Sequence, residues 1–253
     1  MLVSHRWVGT AALVIALGAL TAPTAHADPA DHSGAGDPAA AARVSAERTS
    51  GARAELGGGS GIVLGRSTKC SLTTIGHDAA GRLVGFTAGH CAEPGTPVSG
   101  EQFPEAGVVG VVVASDAELD YGVIEFAPEA VTPLRTVGGT TIAGIAPSPT
   151  TWDVVCQNGR TTGQACGVVW ASGPGGFLDQ ACSSYGDSGG PLTLGDQLVG
   201  LVSGPLINDT RALRFSCSDN ANPLHTPVLA VSFDAVRAAV DADKGVGSGF
   251  API

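Results

Sequence analysis

Apolar positions along this chain come in short runs, and few of them repeat at the three-to-four spacing of a helix. The runs are "GIVLG" (61–65), "RLVGFTAG" (82–89), "GVVGVVVAS" (107–115), "YGVIEF" (121–126), "TTWDVV" (150–155), "CGVVWAS" (166–172), "PLTLGDQLVGLVSG" (191–204) and "TPVLAVSF" (226–233). They are rich in Val, Ile and Thr, and clusters of Gly, Pro, Asp or Asn separate them. Many short strands with turn signals predict an all-β protein, a barrel or a sandwich. Long helical patterns do not alternate with the strands, which disfavours a parallel α/β sheet.

One helix is predicted, in "SFDAVRAAVDADKG" (232–245). Ser232 or Asp234 can cap its start, Phe233, Val236 and Val240 share a face, and Gly245 follows its last turn. The tail "VGSGFAPI" (246–253) reads as loose. The stretch "APEAVTPLRTVGGTTIAGIAPSP" (127–149) reads as a crossover between two β modules. This divides the chain into modules at 57–135 and 136–231, and a C-terminal helix and tail at 232–253.

The first section does not read as fold. Residues 1–27 have a short basic start (His5, Arg6), an apolar run from Val8 to Leu20 and the small-residue pattern Ala25-His26-Ala27, the signature of a secretory signal. Residues 28–56 are too poor in large aliphatics to repay their ordering entropy and read as a short propeptide or disordered arm. The net charge of −10, with no basic stripe, argues against nucleic acid and anionic membranes as partners. No later segment is long and apolar enough to span a membrane. The six cysteines (70, 91, 156, 166, 182 and 217) all follow the signal. An even number in an exported chain favours three disulfides, with fifteen pairings open. There is no C-x-x-C pair, so no metal site is expected.

Against this background "SSYGDSGGPL" (183–192) stands out, because three glycines and a proline lie within three residues of Ser188. Gly permits positive φ and close backbone approach. Such a turn can present a hydroxyl and aim neighbouring N–H groups at one point. A serine needs a base to become a nucleophile, and a carboxylate must hold that base. After residue 57 the histidines are His77, His90 and His225. His90, in "GFTAGHCA" (85–92), follows an apolar strand and adjoins a cysteine. Asp120, in "ELDYGVIEF" (118–126), directly precedes another strand, whereas Asp116 reads as a solvated turn. The opposite order, Ser188 followed by Asp209 or Asp219 and then His225, would suit an α/β-hydrolase. That fold needs a helix after the serine, and Gly189-Gly190-Pro191 cannot start one well.

"TAGHC", "DYGVI" and "GDSGGPL", in this order, resemble the histidine, aspartate and serine motifs of chymotrypsin-fold (trypsin-like) serine proteases. The cysteine six residues before Ser188 and the loop "CQNGRTTGQACG" (156–167) are similar to the bacterial, streptogrisin-like branch. The resemblance covers roughly residues 57–235. It implies two antiparallel β-barrels packed face to face with the active site between them, plus a C-terminal helix. It implies catalytic His90, Asp120 and Ser188, and an oxyanion hole from the N–H groups of Gly186 and Ser188. It also implies disulfides Cys70–Cys91, Cys156–Cys166 and Cys182–Cys217. The substrate pocket would draw on Ser183, Ser184, Tyr185, Ser203, Gly204, Pro205 and His225, and Ser203 would also support Asp120.

Some residues depart from the pattern. Pro205 stands where the family usually has Gly, and it lacks the N–H that pairs with an extended substrate. Cys182 occupies the position of the acid in trypsin-like pockets, so Arg or Lys specificity at the cleaved residue is not expected. Asp187 needs a partner if buried. Gln157 fills the place of the usual Arg, and Arg160 is the expected partner. No activation site of the I-x-G-G type is present. The expectation is a secreted, monomeric serine endopeptidase that acts on polypeptides without a cofactor. The alternatives are a protease-fold binding protein with a blocked cleft, or an esterase-like acyl hydrolase using the same triad.

Overall fold

The computed structural model describes residues 51–206, 217 and 224–253. The predicted signal, most of the predicted arm, and Asp209 and Asp219 lie outside the described residues.

The strands come in chain order as β1 (Ala54–Gly57), β2 (Gly61–Leu64), β3 (Thr68–Ser71), β4 (Thr74–His77), β5 (Leu83–Ala88), β6 (Pro97–Gly100), β7 (Val108–Asp116) and β8 (Tyr121–Phe126). Four short ones follow in the crossover: β9 (Val131–Leu134), β10 (Thr136–Val137), β11 (Thr140–Thr141) and β12 (Gly144–Ile145). The second module holds β13 (Val154–Gly159), β14 (Gly163–Gly173), β15 (Gly176–Asp179), β16 (Pro191–Leu194), β17 (Gln197–Pro205) and β18 (Val228–Ser232). Helix α1 (Phe233–Asp243) and β19 (Ala251–Pro252) complete the chain.

Two sheets carry the architecture. In the second module the order β17-β16-β13-β14-β15-β18 returns to β17 through the β17–β18 pairing, so this barrel is closed. The first sheet runs β19-β4-β5-β8-β7-β6-β2-β3 and is not closed by hydrogen bonds between its ends. Apart from the parallel pairs β1–β9 and β12–β17, the ladders are antiparallel. Seven of the eight predicted apolar runs are strands or hold them, whereas "TTWDVV" (150–155) is mostly a turn that enters β13 only at Val154. Short Val- and Ile-rich runs bounded by turn residues suit a pleated surface, and β5 and β8 are buried along their whole length. The fold class is therefore as expected: among the described residues the chain is all-β with one α-helix, at the C-terminus.

Two expectations are corrected. The predicted arm does not extend to residue 56. Ala54 and Leu56 are buried in β1, which pairs with β9, so the ordered domain begins several residues earlier. The tail is not loose either. Phe250 packs edge-on against Phe86, with ring centroids 4.9 Å apart, and β19 adds to the free edge of β4. One aromatic side chain and a sheet edge are enough to anchor a glycine-rich tail. Helix α1 matches its prediction in extent and buried face, with Phe233, Val236 and Val240 inside. Its left-handed end residue is Lys244 (φ 54°), one position before the expected glycine.

Candidate active site

His90 sits in a short 3₁₀ turn (Gly89–Cys91) at the end of β5. The bond between Cys91 and Cys70 ties this turn to β3. Asp120 ends the loop between β7 and β8. The β5–β8 register pairs Ala88 with Tyr121, so the residues just beyond that pair meet. Asp120 is one of three non-glycine residues with positive φ (48°) among the described residues, a conformation that Asp tolerates better than most. Its Oδ1 accepts the His90 backbone N–H at 2.8 Å, and both carboxylate oxygens lie 3.0 Å from His90 Nδ1. Ser203 Oγ, from β17, donates to Asp120 Oδ2 at 2.5 Å. The carboxylate thus has a partner from each sheet.

Electrostatics follow from these bonds. The hydrogen bond to Asp120 raises the pKa of His90, partial burial lowers it, and the charge of Asp120 raises it further, for a net rise. Burial alone would push Asp120 up. The bonds from His90 and Ser203, the His90 backbone N–H and the charge of His90 together outweigh it, so Asp120 is held below the usual carboxylate range.

Ser188 lies in the β15–β16 connection, and β3 clamps that loop from the other sheet. The Ser71 N–H donates to Ser188 O at 2.8 Å, and Ser71 Oγ donates to Gly186 O at 2.9 Å. Gly186 (φ 97°) and Gly189 (φ 81°) both occupy the left-handed region. A Cβ at 189 would stand 2.4 Å from Thr87 Oγ1 and 2.5 Å from Ser71 O. Glycine is required there by sterics as well as by φ. The loop turns so tightly that the N–H groups of Gly186 and Ser188 have no acceptor among the described residues, nor does the Ser188 hydroxyl bond to any of them.

Asp187 is fully buried, and the expected partner Arg160 forms no ion pair with it, acting on it only as a nearby charge. The guanidinium of Arg160 makes a bidentate pair with Glu101, at 2.5 and 2.7 Å, which Lys69 joins at 3.0 Å. Asp187 instead accepts from the N–H groups of Thr161 (2.8 Å), Thr162 (3.1 Å) and Ser184 (2.8 Å), and from Thr162 Oγ1 (2.8 Å). Gln157 in turn holds Thr162 Oγ1 at 2.9 Å. Neutral donors satisfy this carboxylate where a cation was expected. The two threonines were legible only as part of the "TTG" loop.

His90, Asp120 and Ser188 line one cleft of about 750 Å³. Its walls are Ala117 and Glu118 on the first-sheet side, and Ser183–Tyr185 and Val202–Leu206 on the barrel side, with Thr226, Val228 and Leu229 beyond. Six of the seven residues expected at the pocket line this cleft. His225 is the exception and does not line the cleft. It is buried, and Gln180 Nε2 donates to its carbonyl at 2.8 Å. Sequence reasoning missed Ala117, Glu118, Leu206, Thr226, Val228 and Leu229. Glu118, two residues before Asp120 in a quoted motif, was the one with a signal. All three cysteine pairs are bonded as the resemblance implied.

The fold is chymotrypsin-like, and it brings His90, Asp120 and Ser188 onto one cleft. Among known proteins the chain is 30% identical over 172 residues to streptogrisin-D of Streptomyces griseus, a match covering 62% of this chain and 43% of that protein. It thus spans less than half the length of that relative. Thermobifida fusca protease A superposes with a TM-score of 0.57 at 25% identity, covering 74% of this chain and 96% of that one. Nocardiopsis protease gives 0.58 at 23% identity, covering 76% and 97%. No protein-family model matches the chain.

Proposed function

We propose that this chain is a secreted serine endopeptidase that cleaves polypeptides through an acyl-enzyme. The observation that carries the reading is the His90–Asp120–Ser203 hydrogen-bond array on the same cleft as Ser188, whose loop leaves two N–H groups unclaimed. Ser188 Oγ attacks the scissile carbonyl carbon and passes its proton to His90 Nε2. The charge that develops on the carbonyl oxygen is met by the N–H groups of Gly186 and Ser188; losing one such donor typically costs about 10²–10³ in rate. His90 then gives the proton to the departing amine. Water repeats the sequence on the acyl-enzyme, with His90 again as base. Asp120 keeps the Nδ1 proton facing itself, so Nε2 is free to accept. A nucleophile–base bond left unformed without substrate is common and tightens on binding.

The cleft beside Ser188 is lined by Val202 and Val228 from the paired strands β17 and β18, with Pro205 opposite Val228 in the ladder. These side chains favour a small-to-medium apolar residue on the acyl side of the cut. Three disulfides and the predicted signal support export, and no helix among the described residues is long and apolar enough to cross a membrane. The enzyme is expected to act as a monomer.

Pro205 favours a second reading, a binding protein with a poor substrate track, because a strand edge that lacks one N–H pairs an extended peptide less well. The test is intact-mass spectrometry after treatment with a serine-directed fluorophosphonate. One adduct on the wild type, absent in Ser188→Ala, is the expected result. No adduct on folded, disulfide-intact protein would favour the binding protein.

A further inference from the structure

An extended peptide alternates its side chains between two sides. In this cleft the two sides differ in chemistry. When the residue that supplies the attacked carbonyl places its side chain toward Val202 and Val228, the residue before it turns toward the opposite wall. That wall is His90, Ala117 and Glu118. Ala117 is small and leaves room for a long side chain. Asp116 fixes the local backbone, because its Oδ1 accepts the N–H groups of Glu118 (2.8 Å) and Leu119 (2.7 Å). The Glu118 carboxylate has no ion-pair or hydrogen-bond partner among the described residues, whereas Asp120 is already engaged by His90 and Ser203. No Lys or Arg among the described residues lines the cleft.

From this geometry we propose that Glu118 selects substrates with Lys or Arg at the second residue on the amino side of the scissile bond. The inference rests on the endopeptidase reading above. A cationic side chain there reaches an unpaired carboxylate, and an anionic one meets Glu118 with Asp120 behind it. Glu118 is exposed, so water and salt temper the attraction. The expected gain is about three- to tenfold in kcat/KM for Arg over Ala, with a similar loss for Glu. The exposed Tyr185 on the other wall can also receive a guanidinium over its ring, but that contact would not respond to the charge at 118.

The test uses three peptide amides that share an apolar residue at the cut and carry Arg, Ala or Glu before it. The readout is the Arg-to-Glu ratio of kcat/KM within each protein, so any general loss of activity in a variant cancels. Wild type should give a ratio of about tenfold or more at low salt, shrinking as salt is raised to about 0.5 M. E118Q should bring the ratio toward unity, and E118K should invert it. A flat wild-type ratio, or one that survives in E118K, overturns the inference while leaving the endopeptidase reading intact. If the wild type cleaves none of the three peptides, the inference falls, and the presence or absence of the Ser188 fluorophosphonate adduct decides whether the endopeptidase reading falls with it.

Discussion

His90 and Asp120 shift each other's protonation, and the direction is testable. The hydrogen bond to Asp120 raises the pKa of His90. In the proposed mechanism only neutral imidazole accepts the Ser188 proton, so the acid limb of kcat/KM should be centred above the ordinary histidine value of about 6.5. Asp120→Asn removes the charge and the preferred tautomer. It should move that limb down and lower kcat by about 10³–10⁴, measured as a pH–rate profile on one peptide amide. The sign for folding is opposite to that for activity. The stability contributed by protonated His90 is present below its unfolded pKa and lost as pH rises through its folded pKa. Asp120 was legible at this scale because it sits at a strand start. The partner of Asp187 was not. Charge complementarity pointed to Arg160, but folding brings Glu101 to that guanidinium and backbone N–H groups to Asp187.

Among the elements, the chain's last residues matter more than their composition suggests. Phe250 completes a cluster with Phe86 and Phe233, whose centroids lie 5.1 Å apart and meet edge to face. Phe86 belongs to β5, the strand that ends at His90. Phe250→Ala should destabilise the fold by about 3–5 kcal/mol, read as a lower urea midpoint with an unchanged slope. A change within about 0.5 kcal/mol would show that the tail is only loosely docked. The strand pattern itself was readable because the runs are bounded by turn residues. The very short strands β9–β12 and the edge strands β1 and β19 were not, since two to four residues carry too little periodicity to register.

For the whole molecule, stability against pH is a sum over carboxyls pulled in opposite directions. Burial opposes ionisation of Asp78, but bonds from Gly247 and Arg82 outweigh it. At Glu101 the bond from Arg160 leads, and both carboxyls end below their ordinary values. Together with Asp120, they contribute stability present above their unfolded pKa values and lost as pH falls through the folded ones. Asp179 works against them. Burial at the end of β15 pushes it up to about 7, only partly offset by the Ala181 N–H, and its Oδ2 has no hydrogen-bond partner among the described residues. The folded state therefore holds a proton that the unfolded chain releases at about 3.9, and stability falls as pH rises between those values. Asp179→Asn should remove that slope and raise stability near neutral pH by about 2–4 kcal/mol, measured as denaturant midpoints from pH 4 to 8. An unchanged slope in the variant would refute this origin.

The sequence by itself marked the longer apolar strands, the C-terminal helix, the three motif residues and the turn that presents Ser188. Each rests on local chemistry: alternation, capping, or glycine at a φ that other residues avoid. Only the tertiary structure decided which strands close into a barrel and which stay open, and that β1 and the tail belong to the fold. It also decided that His225 turns away from the cleft and that Glu118 turns toward it. Those outcomes depend on contacts between residues far apart in the chain, such as Ser71 on Gly186 and Ser203 on Asp120. No local pattern encodes such contacts, because they arise from the packing of the two sheets.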